Sequence, residues 1–378
     1  MLKQYTGILL FDFQILRLTG QLKNKYQEVE ADLLEIGQTV HDFESWYQWW
    51  NQKARSYEKQ GLLEVAMTYY RSSLFFLSFS DKRKADAYQC FRRCFERFYE
   101  NADLQYASVP YEQGVLPAVW LKKAEFSKTL LVIGGFDSYM EELVSWFLPL
   151  QEELQCNLLI FDGPGQGSVP AQKLYFQADY ERVVAAVLDY FKLETVAAVG
   201  LSWGGSFVLR AAAFEKRIKL CICFDIFYSA MDAFRLQTRA AEYALLKAGL
   251  FLRQKSLINA IISHKAKTNT SLSWMLMHGQ GITGEKTAYD FIRNISAHTI
   301  ENQLGQIEQT CLLLAGSQDM YVPSYRLEDL KNKLVQAKNV QAHLFTEETG
   351  GSLHCQIDNI QLALDAIRQF INQHKNEF

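Results

Sequence analysis

Short apolar runs, separated by stretches of helical periodicity, occupy the chain beyond Pro110. The runs are rich in aliphatic and β-branched residues and fall at 130–133, 158–161, 196–199, 220–224, 311–314 and 342–345. Apolar character that continues along a run, rather than alternating, is typical of strands covered on both faces. Strands that alternate with helices predict a mostly parallel sheet with helices on both of its faces. The sequence therefore predicts an α/β fold.

The first hundred residues follow a different pattern. Between positions 22 and 99 there is no proline, and apolar residues recur at helical spacing. Helices are predicted at 43–60, 62–79 and 81–100. We therefore expect a helical N-terminal domain at 1–105, acting as a cap or in dimerisation, and an α/β core at 106–378. A helical insertion at about 229–305 interrupts the alternation of the core and is expected to cap it.

Composition excludes several classes of protein. The chain has 378 residues, is 49% hydrophobic and carries a net charge of −3, which is compatible with a large core but gives no basic surface for nucleic acid. No apolar run approaches the roughly 20 residues that span a bilayer. An apolar stretch at 8–13 is interrupted by Asp12 and has no small-residue cleavage site after it. We expect a cytoplasmic protein that binds neither membrane nor nucleic acid.

Cysteine and histidine usage gives no sign of a metal site. The seven cysteines contain no CxxC pair and are expected to be small buried hydrophobic residues in a reducing compartment. His41, His264, His278 and His298 lack the spacing of metal ligands, and no cofactor is expected.

The strongest local motif is GLSWGG at 200–205, between a predicted strand and a predicted helix. A serine on a sharp strand-to-helix turn exposes its hydroxyl, and the glycines two residues to either side remove Cβ atoms that would collide there. The helix that follows directs its positive end at the site. This context favours Ser202 as a nucleophile; the alternative is a packing turn.

A nucleophilic serine needs a base, and the base needs an orienting acid. In this kind of fold the acid follows the nucleophile and the histidine comes last. Asp319 follows the apolar run at 311–314, and His354 ends the loop between the last strand and the last helix. The sequence predicts Asp319 as the acid and His354 as the base; the alternatives are a turn residue and a surface histidine.

Two backbone N–H groups are candidates for binding an oxyanion. One belongs to Trp203, directly after the serine, and the other to Phe136, after the glycine pair that ends the run at 130–133. The glycine pair could instead form only a tight turn. The glycine-rich segment at 162–167 lacks the lysine of a phosphate-binding loop and the spacing of a dinucleotide motif, so we interpret it as a rigid turn beside the nucleophile.

Four motifs together resemble one branch of the α/β-hydrolases. They are GGFDS at 134–138, FDGPGQG at 161–167, GLSWGG at 200–205 and HCQ at 354–356. The branch is typified by 2,6-dihydroxypseudooxynicotine hydrolase and the fermentation–respiration-switch-like esterases. The resemblance implies a helical N-terminal domain over a hydrolase core, frequent dimerisation, and Ser202, Asp319 and His354 as a catalytic triad.

Members of this branch cleave esters, and some cleave carbon–carbon bonds next to a ketone with the help of an extra acidic residue. Asp225 and Asp137 are the candidates for that residue, and they are grouped with Gly135 as a substrate pocket. The sequence therefore predicts a serine hydrolase that forms an acyl-enzyme with an ester-type, apolar or aromatic small molecule. The alternatives are hydrolysis of a C–C bond in a β-diketone or polyketide-like substrate, acyl transfer to another acceptor, and a catalytically silent binding protein.

Overall fold

The computed structural model describes residues 3–378, which divide into two units. One unit comprises Met1–Asp103 and Lys265–Gly281, and the other comprises Leu104–His264 and Ile282–Phe378. The first boundary lies beside the one expected from the sequence. The expected insertion at 229–305 contributes residues to both units.

Helices form the N-terminal part of the first unit: α1 (Leu9–Thr19), α2 (Gln27–Thr39), α3 (Phe43–Lys59), α4 (Leu63–Ser73) and α5 (Lys82–Phe98). The last three correspond to the predicted helices, whereas α1 and α2 were not predicted. The apolar stretch at 8–13 lies in α1, and its interrupting Asp12 accepts hydrogen bonds from the backbone N–H groups of Tyr5 and Thr6 at 3.0 and 2.8 Å. Asp12 therefore holds the chain that leads into the helix.

Helix α4 ends at Ser73, short of the predicted position 79. The reason lies in the buried Lys84, whose Nζ donates to the carbonyl oxygens of Leu74 and Leu77 at 3.0 and 2.8 Å. These carbonyls obtain their hydrogen bonds from a side chain, so the chain can leave the helix in turns without losing them.

Aromatic side chains fill the core of the first unit. Trp46 and Phe76 pack edge to face with ring centroids 4.9 Å apart, and Phe11 lies 5.0 Å from each of them. Trp46 also donates its indole N–H to the carbonyl of Ser72 at 2.7 Å. The dense aromatic residues of this region thus pack helix against helix.

The second unit is built on one eight-stranded sheet with the order β1-β2-β4-β3-β5-β6-β7-β8. Its strands are β1 (Gln105–Tyr111), β2 (Gly114–Leu121), β3 (Lys128–Ile133), β4 (Cys156–Phe161), β5 (Val196–Leu201), β6 (Ile218–Phe224), β7 (Thr310–Gly316) and β8 (Asn339–Phe345). All predicted apolar runs lie in β3 to β8, which are parallel to one another, so the α/β prediction is confirmed. The antiparallel hairpin of β1 and β2 lies outside the predicted apolar runs.

The remaining helices are α6 (Met140–Phe147), α7 (Leu150–Leu154), α8 (Tyr180–Phe191), α9 (Trp203–Phe214), α10 (Ala230–Gln237), α11 (Ala240–Phe251), α12 (Lys255–Ala266), α13 (Thr270–Thr283), α14 (Ala288–Ser296), α15 (Arg326–Lys333) and α16 (Ile360–Gln373). Helices α10 to α14 occupy the long connection between β6 and β7 where the insertion was predicted. Among residues 3–378, no helix has the length and apolar character needed to cross a membrane. All seven cysteines are free, and every one except Cys90 is buried.

The strand order determines where the predicted site residues meet. Strands β3, β5, β6 and β7 are consecutive neighbours, and parallel strands have their carboxyl ends at the same edge of a sheet. Gly135, Ser202, Asp225 and Asp319 each follow the end of one of these strands. The sheet therefore brings segments that are distant in sequence to a single edge.

Candidate active site

Ser202 occupies a sharp turn between β5 and α9. Its backbone has φ 54° and ψ −121°, a conformation that is strained for a residue with a side chain. A Cβ atom on Gly200 would lie 1.9 Å from the carbonyl oxygen of Gly204, and one on Gly204 would lie 2.5 Å from a backbone oxygen of β3. Only glycine fits at these two positions, which is the reason for the spacing seen in the sequence.

His354 connects Ser202 to Asp319. It begins a 3₁₀ turn at His354–Gln356, and its side chain is buried. The imidazole Nε2 lies 2.7 Å from Ser202 Oγ, and Nδ1 lies 2.6 Å from Asp319 Oδ2. The structure therefore brings together the three side chains that the sequence selected separately.

Asp319 is fixed by its own loop. Its Oδ1 accepts hydrogen bonds from the backbone N–H groups of Tyr321 and Val322 at 2.6 and 3.0 Å, which leaves Oδ2 to His354. One oxygen thus orients the carboxylate, and the other accepts a hydrogen bond from the Nδ1–H of His354. This arrangement leaves Nε2 of His354 as the acceptor for the hydroxyl of Ser202.

The surroundings of His354 change its basicity. Burial alone would lower the pKa of the imidazole, but the Asp319 carboxylate, with a smaller contribution from Cys355, raises that pKa well above 6.5. Burial is the largest single effect, but the contributions of Asp319 and Cys355 together stabilise the imidazolium more than burial destabilises it. His354 is therefore a strong proton acceptor next to Ser202.

The loop at 134–138 lies against the serine turn. A Cβ atom on Gly135 would be 3.0 Å from Ser202 Cβ and 3.2 Å from the backbone nitrogen of Trp203. The Gly135 N–H itself donates to Ser138 Oγ at 2.8 Å. Phe136 and Trp203, the two residues selected for their N–H groups, therefore belong to two segments in direct contact.

Gln166 braces this loop. Its Nε2 donates to the carbonyl oxygens of Gly134 and Gly135 at 2.6 and 3.0 Å, while its Oε1 accepts from the N–H of Gly163 and the hydroxyl of Tyr180 at 2.8 and 3.0 Å. The glycine-rich segment at 162–167 thus supports the loop beside the nucleophile. Sequence reasoning located the segment but missed Gln166, since nothing in the motif showed where its amide points.

Asp137 and Asp225 differ in position. Asp137 lies in the turn that follows Phe136 and is partly buried. Asp225 was grouped with a substrate pocket, but its side chain is completely buried, and its Oδ2 lies 3.9 Å from Nδ1 of His354. Burial, followed by the neighbouring Asp319 carboxylate, raises the pKa of Asp225 well above its usual value. Asp225 is therefore a neighbour of the His–Asp pair and not part of an exposed wall.

Aromatic rings surround the residue after the nucleophile. The ring of Trp203 stacks between Phe136 and Phe227, with centroid distances of 5.4 and 4.4 Å and interplanar angles of 12° and 20°. Phe176 meets the edge of Trp203 at 5.1 Å and stacks on His298 at 5.3 Å. Phe176 lies in the connection between β4 and β5, whereas Phe227 and His298 lie 71 positions apart in the connection between β6 and β7, so spacing in the sequence could not have grouped them.

His298 is a buried neutral residue. Burial lowers the pKa of its imidazole to about 4, and its Nδ1 has no hydrogen-bond partner. His298, which lacks the spacing of a metal ligand in the sequence, is thus a core residue.

Within the part of the chain that the structure describes, Asp225, Asp319 and His354 bring potential metal-ligand atoms within 4.8 Å of one another. Both ring nitrogens of His354 already have partners in Asp319 and Ser202. A metal ion would have to replace the hydrogen bond between His354 and Asp319. The arrangement fits a hydrogen-bonded relay better than a metal centre.

Comparison with known proteins gives the family of the chain. A model of the alpha/beta hydrolase family matches residues 130–351, the segment that carries the serine turn and Asp319. The chain belongs to the α/β-hydrolase family. Since its curated relatives are named as hydrolases, this hydrolase is an enzyme, and the resemblance stated from its motifs is confirmed at the level of the family.

The relatives share much of the length of this hydrolase. "Alpha/beta hydrolase gkaG" of Penicillium citrinum is 24% identical over 78% of this chain and 77% of its own length. "20-hydroxy-prefusarin hydrolase FUS2" of Gibberella moniliformis is 27% identical over 92% of each chain. The crystal structure of 2,6-dihydroxy-pseudo-oxynicotine hydrolase superimposes with a TM-score of 0.63 at 18% identity, covering 88% of both chains, and so shares the fold.

Proposed function

We propose that this protein is a serine hydrolase that forms an acyl-enzyme on Ser202 and acts on ester-type, apolar or aromatic small molecules. The observation that carries the proposal is the continuous hydrogen-bonded path from Ser202 Oγ through both nitrogens of His354 to Asp319, with distances of 2.7 and 2.6 Å. The strained backbone of Ser202 adds support, since strain of this kind is concentrated at functional sites.

In the first step, His354 Nε2 takes the proton of the Ser202 hydroxyl as the oxygen attacks the substrate carbonyl. The imidazolium that forms is stabilised by Asp319 at Nδ1. Collapse of the tetrahedral intermediate breaks the bond to the leaving group, which receives the proton from His354. Water then attacks the acyl-enzyme, with His354 again acting first as base and then as acid.

The negative charge of the intermediate requires donors that are already in position. The N–H groups of Trp203 and Phe136 are the proposed donors, because the loop that carries Phe136 lies within van der Waals contact of the serine turn. Trp203 is the first residue of α9, where backbone N–H groups have no acceptor within the helix and the dipole favours negative charge.

The aromatic rings around Trp203 support an apolar or aromatic substrate. Trp203, Phe136 and Phe227 present nearly parallel faces next to the nucleophile, and stacked or edge-on aromatic contacts are favourable there. The relative named 20-hydroxy-prefusarin hydrolase, by its name, acts on a hydroxylated small molecule, which fits a substrate of this size class.

The test is hydrolysis of a panel of p-nitrophenyl esters with alkyl and aromatic acyl groups, using the wild type and Ser202→Ala. Turnover by the wild type and its loss in the variant are expected, together with labelling of Ser202 by a fluorophosphonate probe. Equal rates for the two proteins would overturn the assignment of Ser202. A matched control is Ser206→Ala, which changes another serine of the same turn-and-helix segment, one that takes no part in the hydrogen bonds joining Ser202, His354 and Asp319.

Hydrolysis of a C–C bond is a second candidate, favoured by the motif resemblance to a branch with such members. In a β-diketone, Ser202 would attack one carbonyl, the bond to the central carbon would break, and the resulting enolate would take the proton from His354. Incubation with a β-diketone and with a simple ester of the same acyl group, followed by analysis of the products, separates the two candidates.

A further inference from the structure

His354 faces two carboxyl groups, and the proposed mechanism uses only one of them. Asp225 follows β6 directly and is completely buried. Its Oδ2 lies 3.9 Å from Nδ1 of His354, the nitrogen that also lies 2.6 Å from Asp319 Oδ2. One oxygen of each carboxyl group and a nitrogen of the imidazole all lie within 4.8 Å of one another.

Asp225 is held in place from several sides. Its Oδ1 accepts from the N–H of Ile226 at 2.6 Å, and its Oδ2 accepts from the N–H of Cys355 at 3.3 Å and from Nε2 of Gln356 at 3.2 Å. Cys355 and Gln356 both have left-handed backbone conformations, with φ 51° and φ 50°. Asp225 therefore anchors the strained turn that carries His354.

The titratable groups that face Asp225 or its neighbour His354 include the carboxylate of Asp319, the imidazole itself, the thiol of Cys355, and Tyr321, whose ring packs against the imidazole of His354 at 5.0 Å. Two carboxylates this close in a buried site repel each other, so one of them keeps its proton. Burial and the neighbouring Asp319 carboxylate raise the pKa of Asp225, which favours the protonated form of this carboxyl group.

We infer that Asp225 is a reserve acid, a positioning residue that holds His354 when the charge of Asp319 is removed. The inference rests on the proposed function of Ser202 and His354. Loss of the Asp319 charge removes the repulsion that keeps Asp225 protonated, so Asp225 can ionise at a lower pH. A shift of roughly 1 Å would then bring its Oδ2 within hydrogen-bond distance of Nδ1.

The experiment compares the pH dependence of kcat/KM for the wild type, Asp319→Asn and Asp319→Asn/Asp225→Asn on a p-nitrophenyl ester that the wild type hydrolyses. In a triad without a second acid, replacement of the aspartate by asparagine reduces kcat by about 10⁴-fold. We expect Asp319→Asn to regain activity as the pH rises and Asp225 ionises. The double variant should lack this rise. At the alkaline end its kcat/KM should be at least about tenfold below that of Asp319→Asn, and its kcat should be about 10⁴-fold below that of the wild type.

Identical kcat/KM values for the single and double variants at every pH would overturn the reserve acid. If the double variant does not fold, Asp319→Asn alone tests the inference. A pH profile of Asp319→Asn without the alkaline rise, or without activity at any pH, would also overturn the inference. The matched control is Asp319→Asn/Asp232→Asn. Asp232 is another buried carboxylate of the same unit, bound to Arg326 at 2.8 Å, and its loss should leave the profile of Asp319→Asn unchanged.

Labelling with the fluorophosphonate probe separates failure of this inference from failure of the proposed function. Its rate reports activation of Ser202 without requiring turnover, and it is measured over the same pH range. If the probe labels the wild type but the pH profiles of Asp319→Asn and Asp319→Asn/Asp225→Asn are equal, only the inference about Asp225 is overturned. Absence of labelling at Ser202 in the wild type overturns the proposed function and the reserve acid together.

Discussion

His354 Nε2 and Ser202 Oγ lie 2.7 Å apart, although 152 positions of sequence separate them. This contact joins the end of the fifth strand to a turn after the eighth, and every other feature of the proposed mechanism depends on it. It also makes His354 the residue whose replacement has the clearest expected effect.

His354→Ala should reduce kcat by on the order of 10⁴- to 10⁶-fold, since removal of the base leaves only binding and oxyanion stabilisation. The measurement is steady-state hydrolysis of the best ester of the panel. His343→Ala is the control, because His343 lies in the partly exposed edge strand β8 and should retain activity within about twofold of the wild type. Comparable losses in both variants would contradict the assignment of the base.

The activity should fall as the pH decreases, with its acidic limb centred above pH 6.5. His354 accepts a proton only as the neutral imidazole. Asp319 raises the pKa of His354, so the neutral form predominates only at higher pH. The raised pKa therefore moves the limb towards higher pH. A profile of kcat/KM against pH with an inflection below 6.5 would show that His354 is not more basic than an ordinary histidine.

Gly135→Ala should lower kcat by about 10²- to 10³-fold, the loss typical of a damaged oxyanion site. The added Cβ would lie 2.8 Å from the carbonyl oxygen of Leu201 and 3.0 Å from Ser202 Cβ, so the loop must move away from the nucleophile. Gly305→Ala is the control, since its Cβ would meet no atom within 4 Å. Kinetics and thermal unfolding of both variants separate loss of activity from loss of folding.

Gln166→Leu should destabilise the protein by about 1–3 kcal/mol and also reduce kcat. The substitution leaves the carbonyl oxygens of Gly134 and Gly135, together with the hydroxyl of Tyr180, without their buried partner. Urea unfolding measures the first effect and ester hydrolysis the second. Gln341→Leu, at a partly exposed position of β8, should change neither, and an unchanged Gln166→Leu protein would refute the bracing role.

The sequence predicted strands β3 to β7 because each contains a continuous apolar run that is buried, whereas the run in β8 was predicted although it contains His343 and is partly exposed. The apolar runs do not include the β1–β2 hairpin because β1 is largely exposed and both strands contain proline, Pro110 and Pro117, which usually argues against a strand. The early helices α1 and α2 were not predicted. Neither has a side-chain cap at its N-terminus, but α4 also lacks one and was predicted from its apolar spacing.

Sequence reasoning could predict a site residue where the chemistry requires one residue type within a recognisable local motif. Ser202 and its flanking glycines meet that condition, and the order of the chain then selects Asp319 and His354. The position of Asp225 was not predictable, because a residue at a strand end can point to either side of the histidine. The same holds for Phe176 and His298, which meet only through the folding of separate connections.

The order of the strands has a consequence for how the site is assembled. Ser202, Asp225 and Asp319 follow three adjacent strands, and hydrogen bonding sets neighbouring strands roughly 4.8 Å apart. The distances among these groups are thus built into the sheet before any ligand arrives. Energy gained on binding is then not spent on gathering the reacting groups, and remains available to stabilise the transition state.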